Sequence, residues 1–158
     1  MKAEKPTDPR RSEWMGRVRT SGTSAEQDVA LCLRSMGLSY RRNVRSLPGS
    51  PDFANKSGKW AVFVNGCFWH HHTNCRRAAI PKANFVFWAA KFASNRRRDA
   101  RVIRDLRKRG FRVTVVWQCR TRDPEVLRLS LAKALRRLPV RASEMDFREC
   151  AHGRESPP

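Results

Sequence analysis

An α/β fold, a small mixed sheet with helices on its faces, is what this chain of 158 residues predicts. Three observations carry it. Apolar residues recur at helical spacing in three segments. Between them lie short runs whose hydrophobicity is continuous or alternating, as in strands. Their order is helix, two or three strands, long helix, strand, helix.

Ser24 with Gln27 three residues on is a capping-box pattern. Behind it Val29, Cys32, Leu33 and Met36 keep helical spacing until Gly37 stops the helix, so Cys32 reads as a small core residue. Tyr40 to Val44 is a candidate short strand. Leu47-Pro48-Gly49-Ser50-Pro51 is a turn, and Asp52-Phe53-Ala54 resumes extended. Asn55-Lys56-Ser57-Gly58 is a hairpin connection to Trp60-Ala61-Val62-Phe63-Val64, an apolar run typical of a strand buried on both faces. A Cys/His loop follows and ends at Pro81. Phe85, Trp88, Phe92, Asp99, Ile103 and Leu106 then share one face of the longest helix, whose other face is Arg-rich, up to Gly110. Phe111 to Trp117 alternates as a strand. Asp123-Pro124 opens a last helix, with Leu127, Leu131, Leu135 and Leu138 on one face.

The length suits one domain that buries its own core. Its bounds are a flexible basic arm over residues 1–22, a domain over 23–140 and a disordered tail over 141–158. The charge is lopsided: 34 Lys+Arg against 14 Asp+Glu, a net +20. Such a field favours polyanions, nucleic acid first. In the arm, Arg10, Arg11, Arg17 and Arg19 surround Trp14 and Met15, a contact point for a polyanion. No apolar run has transmembrane length and the first residues lack a signal-peptide core, which predicts a cytoplasmic protein without a membrane role. In that reducing setting the five Cys read as metal ligands or free thiols.

The densest chemistry lies in Cys67-Phe68-Trp69-His70-His71-His72-Thr73-Asn74-Cys75. Cys67, His72, Cys75 and, from downstream, Cys119 supply four ligands for a tetrahedral zinc, with His71 the rival of His72. Four protein ligands leave no position for water, so this zinc is structural. It would anchor the loop and hold His70 between two ligands. The alternative is a set of buried free thiols. Asp52, with a main-chain carbonyl at Val64, could hold a hard cation such as magnesium beside a scissile phosphate. His70 could then deprotonate the attacking water, since imidazole titrates near neutrality. Taken alone, Asp52 reads first as a cap or turn residue. Phe68 and Trp69 either wedge between base pairs or pack under the zinc. Trp88 has core spacing, near the start of its helix.

Pro48-Gly49-x-Pro51-Asp52-Phe53, then Val62-Phe63-Val64-Asn65-Gly66-Cys67-Phe68-Trp69-His70, Phe87-Trp88 with Asn95 and Arg98-Asp99, and Val116-Trp117-Gln118-Cys119 resemble the very short patch repair (Vsr) endonucleases. So does Arg11-Ser12-Glu13 through Met15 to Glu26. The resemblance covers roughly residues 11–120. It implies a restriction-endonuclease-like fold and a nick 5′ of the thymine in a T:G mispair left by deamination of 5-methylcytosine. It implies magnesium at Asp52 and the Val64 carbonyl, hydrolysis assisted by His70, and support from Glu26. Zinc falls to Cys67, His72, Cys75 and Cys119. Phe68, Trp69 and Trp88 would intercalate, and the arm with Met15, Arg17 and Arg19 would embrace double-stranded DNA. A monomer near the nucleoid follows, with a cytosine-5 methyltransferase and repair-pathway proteins as its candidate partners. Well-known members carry Thr and His where this chain has Val64 and Asn65. A carbonyl ligand survives any side chain, but Asn65 cannot act as a base. Two other readings follow from that: a zinc-stapled DNA-binding module that does not cut, and a related nuclease with another substrate choice.

Overall fold

The computed structural model describes residues 22–82 and 84–135. Met15, Arg17 and Arg19, with the rest of the arm up to residue 21, lie outside the described residues, as do Leu138 and the 141–158 tail.

Helix α1 spans Ser24–Ser35, and its capping box differs from the expected pair. The N-cap is Thr23, not Ser24, and its partner is Glu26, not Gln27. Thr23 Oγ1 accepts the Glu26 N–H at 3.3 Å, and the Glu26 carboxylate accepts the Gly22 N–H at 3.0 Å and the Thr23 N–H at 3.4 Å. Both pairs have the right spacing. A full negative charge at the positive end of the helix dipole favours Glu26. At the other end Gly37 adopts a left-handed φ of 67°. Its N–H reaches the Arg34 carbonyl and that of Leu38 reaches Leu33, a Schellman ending. Gly110 ends the long helix α2, Phe85–Lys108, in the same way: φ is 82°, and the Gly110 and Phe111 N–H groups donate to Arg107 and Leu106.

Strand β1 is only Arg41–Arg42, shorter than the expected Tyr40–Val44. Asn43 turns left-handed at φ 47° and ends it. Strands β2 (Phe53–Asn55), β3 (Trp60–Asn65) and β4 (Arg112–Trp117) complete a mixed sheet in the order β1-β2-β3-β4. The first two pairings are antiparallel, and β3 with β4, joined through α2, is parallel. Helix α3 is Pro124–Leu135.

The two-residue period of β3 divides the core. Trp60 and Val62 face α1 and α3, packing with Val29, Leu33, Leu127 and Leu131. Ala61 faces Leu106 of α2, with Phe63 and Val102 beside them. The sheet is thus sandwiched between helices, as the periodicity predicts. The expectation that all of Trp60–Val64 is buried holds for Trp60, Ala61 and Val62; Phe63 and Val64 are half-buried because that end of β3 opens into a cleft. Leu131 is fully buried, so Leu131→Ala is expected to cost about 2–5 kcal/mol in chemical denaturation. A loss below about 1 kcal/mol would mean that α3 does not seal this face. Among the described residues, no helix is long and apolar enough to cross a membrane.

Candidate active site and metal centre

The site forms at the end of the sheet where β2 begins and β3 and β4 finish. Leu47-Pro48-Gly49-Ser50 delivers Asp52 there. Pro48 and Gly49 occupy the inner positions of a type II pattern, closed by the Ser50 N–H on the Leu47 carbonyl at 3.0 Å. Gly49 has φ 72°, and a Cβ there would stand 2.4 Å from Val102 of α2, so glycine is required for both conformation and space.

Asp52 Oδ2 accepts the Val64 N–H at 2.7 Å, which fixes the carboxylate beside the Val64 backbone. Burial raises the Asp52 pKa above the usual carboxylate value; the Val64 N–H opposes this, and Glu26 adds to it. Glu26, itself buried, thus closes α1 and also places negative charge near Asp52. A half-buried carboxylate with a second acid nearby, beside main-chain groups, fits a hard cation. Asp52, Val64, Asn65, His70, Arg98 and Asp99 line one cleft of about 460 Å³.

His70 is held from α2. Its Nδ1 lies 2.5 Å from Asp99 Oδ2, with both side chains about one-fifth exposed. One residue earlier, the Trp69 carbonyl accepts from Asn95 Nδ2 at 2.8 Å. Two polar residues one helical turn apart on α2 therefore fix both the loop and the imidazole. Asn65 ends β3 and is 8% exposed. Its amide is no proton acceptor at neutral pH, so His70 is the imidazole of this cleft.

Parallel pairing explains the metal cluster. Asn65 lies opposite Trp117. Cys67 and Cys119 each stand two residues further on, so they leave the sheet side by side. The loop folds back on itself, with the His70 N–H on Gly66 and the His72 N–H on Cys67 at 2.9 Å. His71 and Asn74 take left-handed φ of 48° and 57°. One ligand atom from each of Cys67, His72, Cys75 and Cys119 lies within 4.8 Å of the others. Thiolates on a tetrahedral zinc stand roughly 3.8 Å apart for bonds of about 2.3 Å, so these residues fit such an ion. His72 stacks on Trp117 at 4.2 Å and 7°, with Nδ1 3.4 Å from Cys119 Sγ. His71 instead stacks on Phe92. Burial, then Arg120, lowers the His72 pKa and favours the neutral imidazole that metals bind. Burial pushes the Cys67 thiol up to about 11, while the Arg77 N–H draws Cys75 down. A cation would have to displace the Cys67 proton.

Phe68 packs edge-on against Trp69, Trp88 and Phe92, with centroids 5.2–5.3 Å apart. Phe68 and Trp69 are half-buried, while Trp88 is 4% exposed.

The model of the family described as DNA mismatch endonuclease Vsr matches residues 3–77. "Type II nicking enzyme V.XorIIP" of Xanthomonas oryzae pv. oryzae is 40% identical over 126 residues, covering 80% of this chain and 92% of that protein. "DNA mismatch endonuclease Vsr" of Escherichia coli is 39% identical over 117 residues, 74% of each. This chain belongs to the Vsr family. A third relative, "Type II nicking enzyme V.NmeAIP" of Neisseria meningitidis, is 35% identical over 132 residues, covering 84% of this chain and 94% of that protein. The mixed sheet with flanking helices is the restriction-endonuclease-like fold of Vsr proteins. Asp99 and Asn95 are the residues of this Vsr site to which sequence reasoning gave no role. A signal for Asp99 was present: it is the one acid on the otherwise apolar stripe of α2, and a carboxylate is rarely buried unpaired.

Proposed function

We propose that this chain nicks one strand of duplex DNA 5′ of the thymine in a T:G mispair arising from 5-methylcytosine deamination, by magnesium-dependent hydrolysis. Family membership makes it a DNA endonuclease, a hydrolase of phosphodiester bonds. The observation that carries the reading is one cleft lined by the Asp52 carboxylate and by a His70–Asp99 pair.

The roles follow from chemistry. Asp99 accepts the Nδ1 proton of His70 and so orients the ring and selects its tautomer. Nε2 is then the nitrogen left to take a proton from an attacking water. A magnesium ion held by ionised Asp52 and the Val64 carbonyl would polarise the phosphate and offset its developing charge. Glu26 supports Asp52 from α1. Asn65 lines the cleft without a proton role. Zinc at Cys67, His72, Cys75 and Cys119 is structural and holds the loop that carries His70. Phe68 and Trp69 wedge beside the mispair, and the face of Trp88 becomes available when Phe68 leaves it. Met15, Arg17 and Arg19 of the arm contact DNA. The protein acts as a cytoplasmic monomer at the nucleoid, downstream of a cytosine-5 methyltransferase, with repair-pathway partners.

The test is a nicking assay on T:G and C:G duplexes in several contexts, with and without magnesium. A nick in the T-strand of T:G alone, dependent on magnesium, is expected. Equal cutting of paired and mispaired DNA would replace the substrate assignment. Binding without nicking would favour a non-cleaving module and trace to Asn65.

Asp99 is a positioning residue in this scheme. Asp99→Asn is expected to slow nicking by about 10²-fold or more. Combined with His70→Ala it should add little to the single His70 loss, because the two act as one unit. Additive losses would separate Asp99 from His70.

A further inference from the structure

A groove of about 750 Å³ runs along the β1 edge of the sheet, apart from the cleft of Asp52 and His70. Arg41, Arg42, Arg45 and Lys56 line it with serines and asparagines, and none of its lining residues is acidic. The cations come from separate pieces of chain. Arg41 and Arg42 are strand β1, Arg45 follows in the turn leading to Pro48, and Lys56 opens the β2–β3 hairpin. Charged residues on an edge strand are a common guard against strand pairing. That accounts for Arg41 and Arg42, but not for Arg45 and Lys56 converging on the same groove.

Two features make this a built surface. Asn55 closes the hairpin end, donating to the Ser39 carbonyl at 2.8 Å and accepting the Gly58 N–H at 2.6 Å. The Arg42 guanidinium lies 5.3 Å from the centre of the Phe53 ring. The other end adjoins the catalytic segment. The Asn43 N–H donates to the Asp52 carbonyl at 2.9 Å and the Val44 N–H to Pro51 at 3.0 Å. The groove wall is therefore one strand spacing, about 5 Å, from the Asp52 backbone.

We propose that this groove holds backbone phosphates of the DNA flanking the scissile step, so that Arg41, Arg45 and Lys56 set how the duplex enters the cleft. The inference rests on a DNA substrate, and not on the mispair or the nick. Four cations without an acid match a run of phosphates, and the groove wall is hydrogen-bonded to the backbone of Pro51 and Asp52. All four are exposed, and Arg42 is the one whose guanidinium lies over the Phe53 ring.

The test compares two triple variants of the full chain. One carries Arg41→Ala, Arg45→Ala and Lys56→Ala. The other carries Arg104→Ala, Arg107→Ala and Lys108→Ala, the same charge loss on exposed positions of α2. Duplex affinity is measured against salt without magnesium, with zinc content and thermal midpoint as folding checks. The groove variant is expected to lose about three phosphate contacts. Its log–log salt slope should fall by about 2.7 and its affinity by ten- to a hundredfold, while the α2 variant moves far less. Equal losses in both would reduce the effect to net charge and overturn the groove. Unchanged DNA binding with lost binding of polyglutamate would assign the groove to an acidic protein and overturn it as well. A wild-type protein that shows the steep slope but never nicks would remove the nuclease reading and leave the groove standing.

Discussion

Asp52→Asn is expected to slow nicking by about 10³-fold or more while leaving zinc content and duplex binding intact. The carboxylate is the charged oxygen donor that the cleft offers beside the Val64 backbone, and its amide isostere keeps the shape without the charge. The same residue sets the acid limb of activity. Burial raises the Asp52 pKa, so the carboxyl takes up its proton at a pH above the usual carboxylate range, and nicking falls there. Added magnesium should move that limb to lower pH, because cation and proton compete for one oxygen. The stability linkage has the opposite sign to that of a salt-bridged carboxylate. The folded state holds this proton more tightly than the unfolded chain does, so stability in magnesium-free buffer rises as pH falls through the raised pKa. Asp52→Asn should abolish that component. Rates assayed on a T:G duplex, with thermal melts across pH, check both. An active Asp52→Asn protein would move the cation site elsewhere.

Cys119→Ser is the second large effect. The variant should lose most of its zinc and several of the roughly 10–16 kcal/mol that a structural zinc site supplies. Cys119 lies just after β4, whereas Cys67, His72 and Cys75 belong to the loop after β3. Losing it therefore unties the loop from the sheet as well as removing a ligand. His70 and Trp69 then lose that anchor, although Asp99 and Asn95 still hold them from α2. Nicking should fall with zinc content, although Cys119 touches no reacting atom. Cys32→Ser is the control: Cys32 is a half-buried residue of α1 packed against the core and is not one of the four candidate ligands, so its loss should leave zinc stoichiometry unchanged. Metal analysis with calorimetry decides the matter. Full zinc and an unchanged melting point in Cys119→Ser would remove it from the centre.

The two proposed metal sites would also differ in what holds them. The cysteine cluster is closed by side chains from two strand ends, so it can be complete before DNA arrives. The Asp52 site offers one carboxylate and main-chain groups, so water and phosphate oxygens must fill the rest of a hard cation's shell. Its occupancy should therefore rise with bound DNA, whereas zinc should copurify. That difference matches a stable staple beside a cleft whose charge is left to be met by substrate.

Periodicity alone determined the layers of this protein. Alternation along β3 separates Trp60 and Val62 from Ala61, and the three-to-four residue repeat of α1, α2 and α3 supplies the faces that cover them. Gly37 and Gly110 as helix ends, and Pro48-Gly49 as a turn, are local backbone chemistry and could be read directly. Cys67, His72, Cys75 and Cys119 as candidate ligands, with His71 a rival, came from residue type and spacing; the roles proposed for Asp52 and His70 leaned on the family resemblance as well. Three things needed the tertiary structure. The choice of Thr23 and Glu26 over Ser24 and Gln27 turns on which side chain, a carboxylate or an amide, meets the helix end. The His70–Asp99 pair spans 29 residues and exists only because α2 lays its inner stripe over the loop. The groove of Arg41, Arg45 and Lys56 gathers cations that in sequence look like parts of one diffuse charge. Local patterns repeat with the period of their own element, so one sequence displays them. Contacts between elements depend on pairing register and on how each helix is rotated, and these are set only when the buried faces pack together.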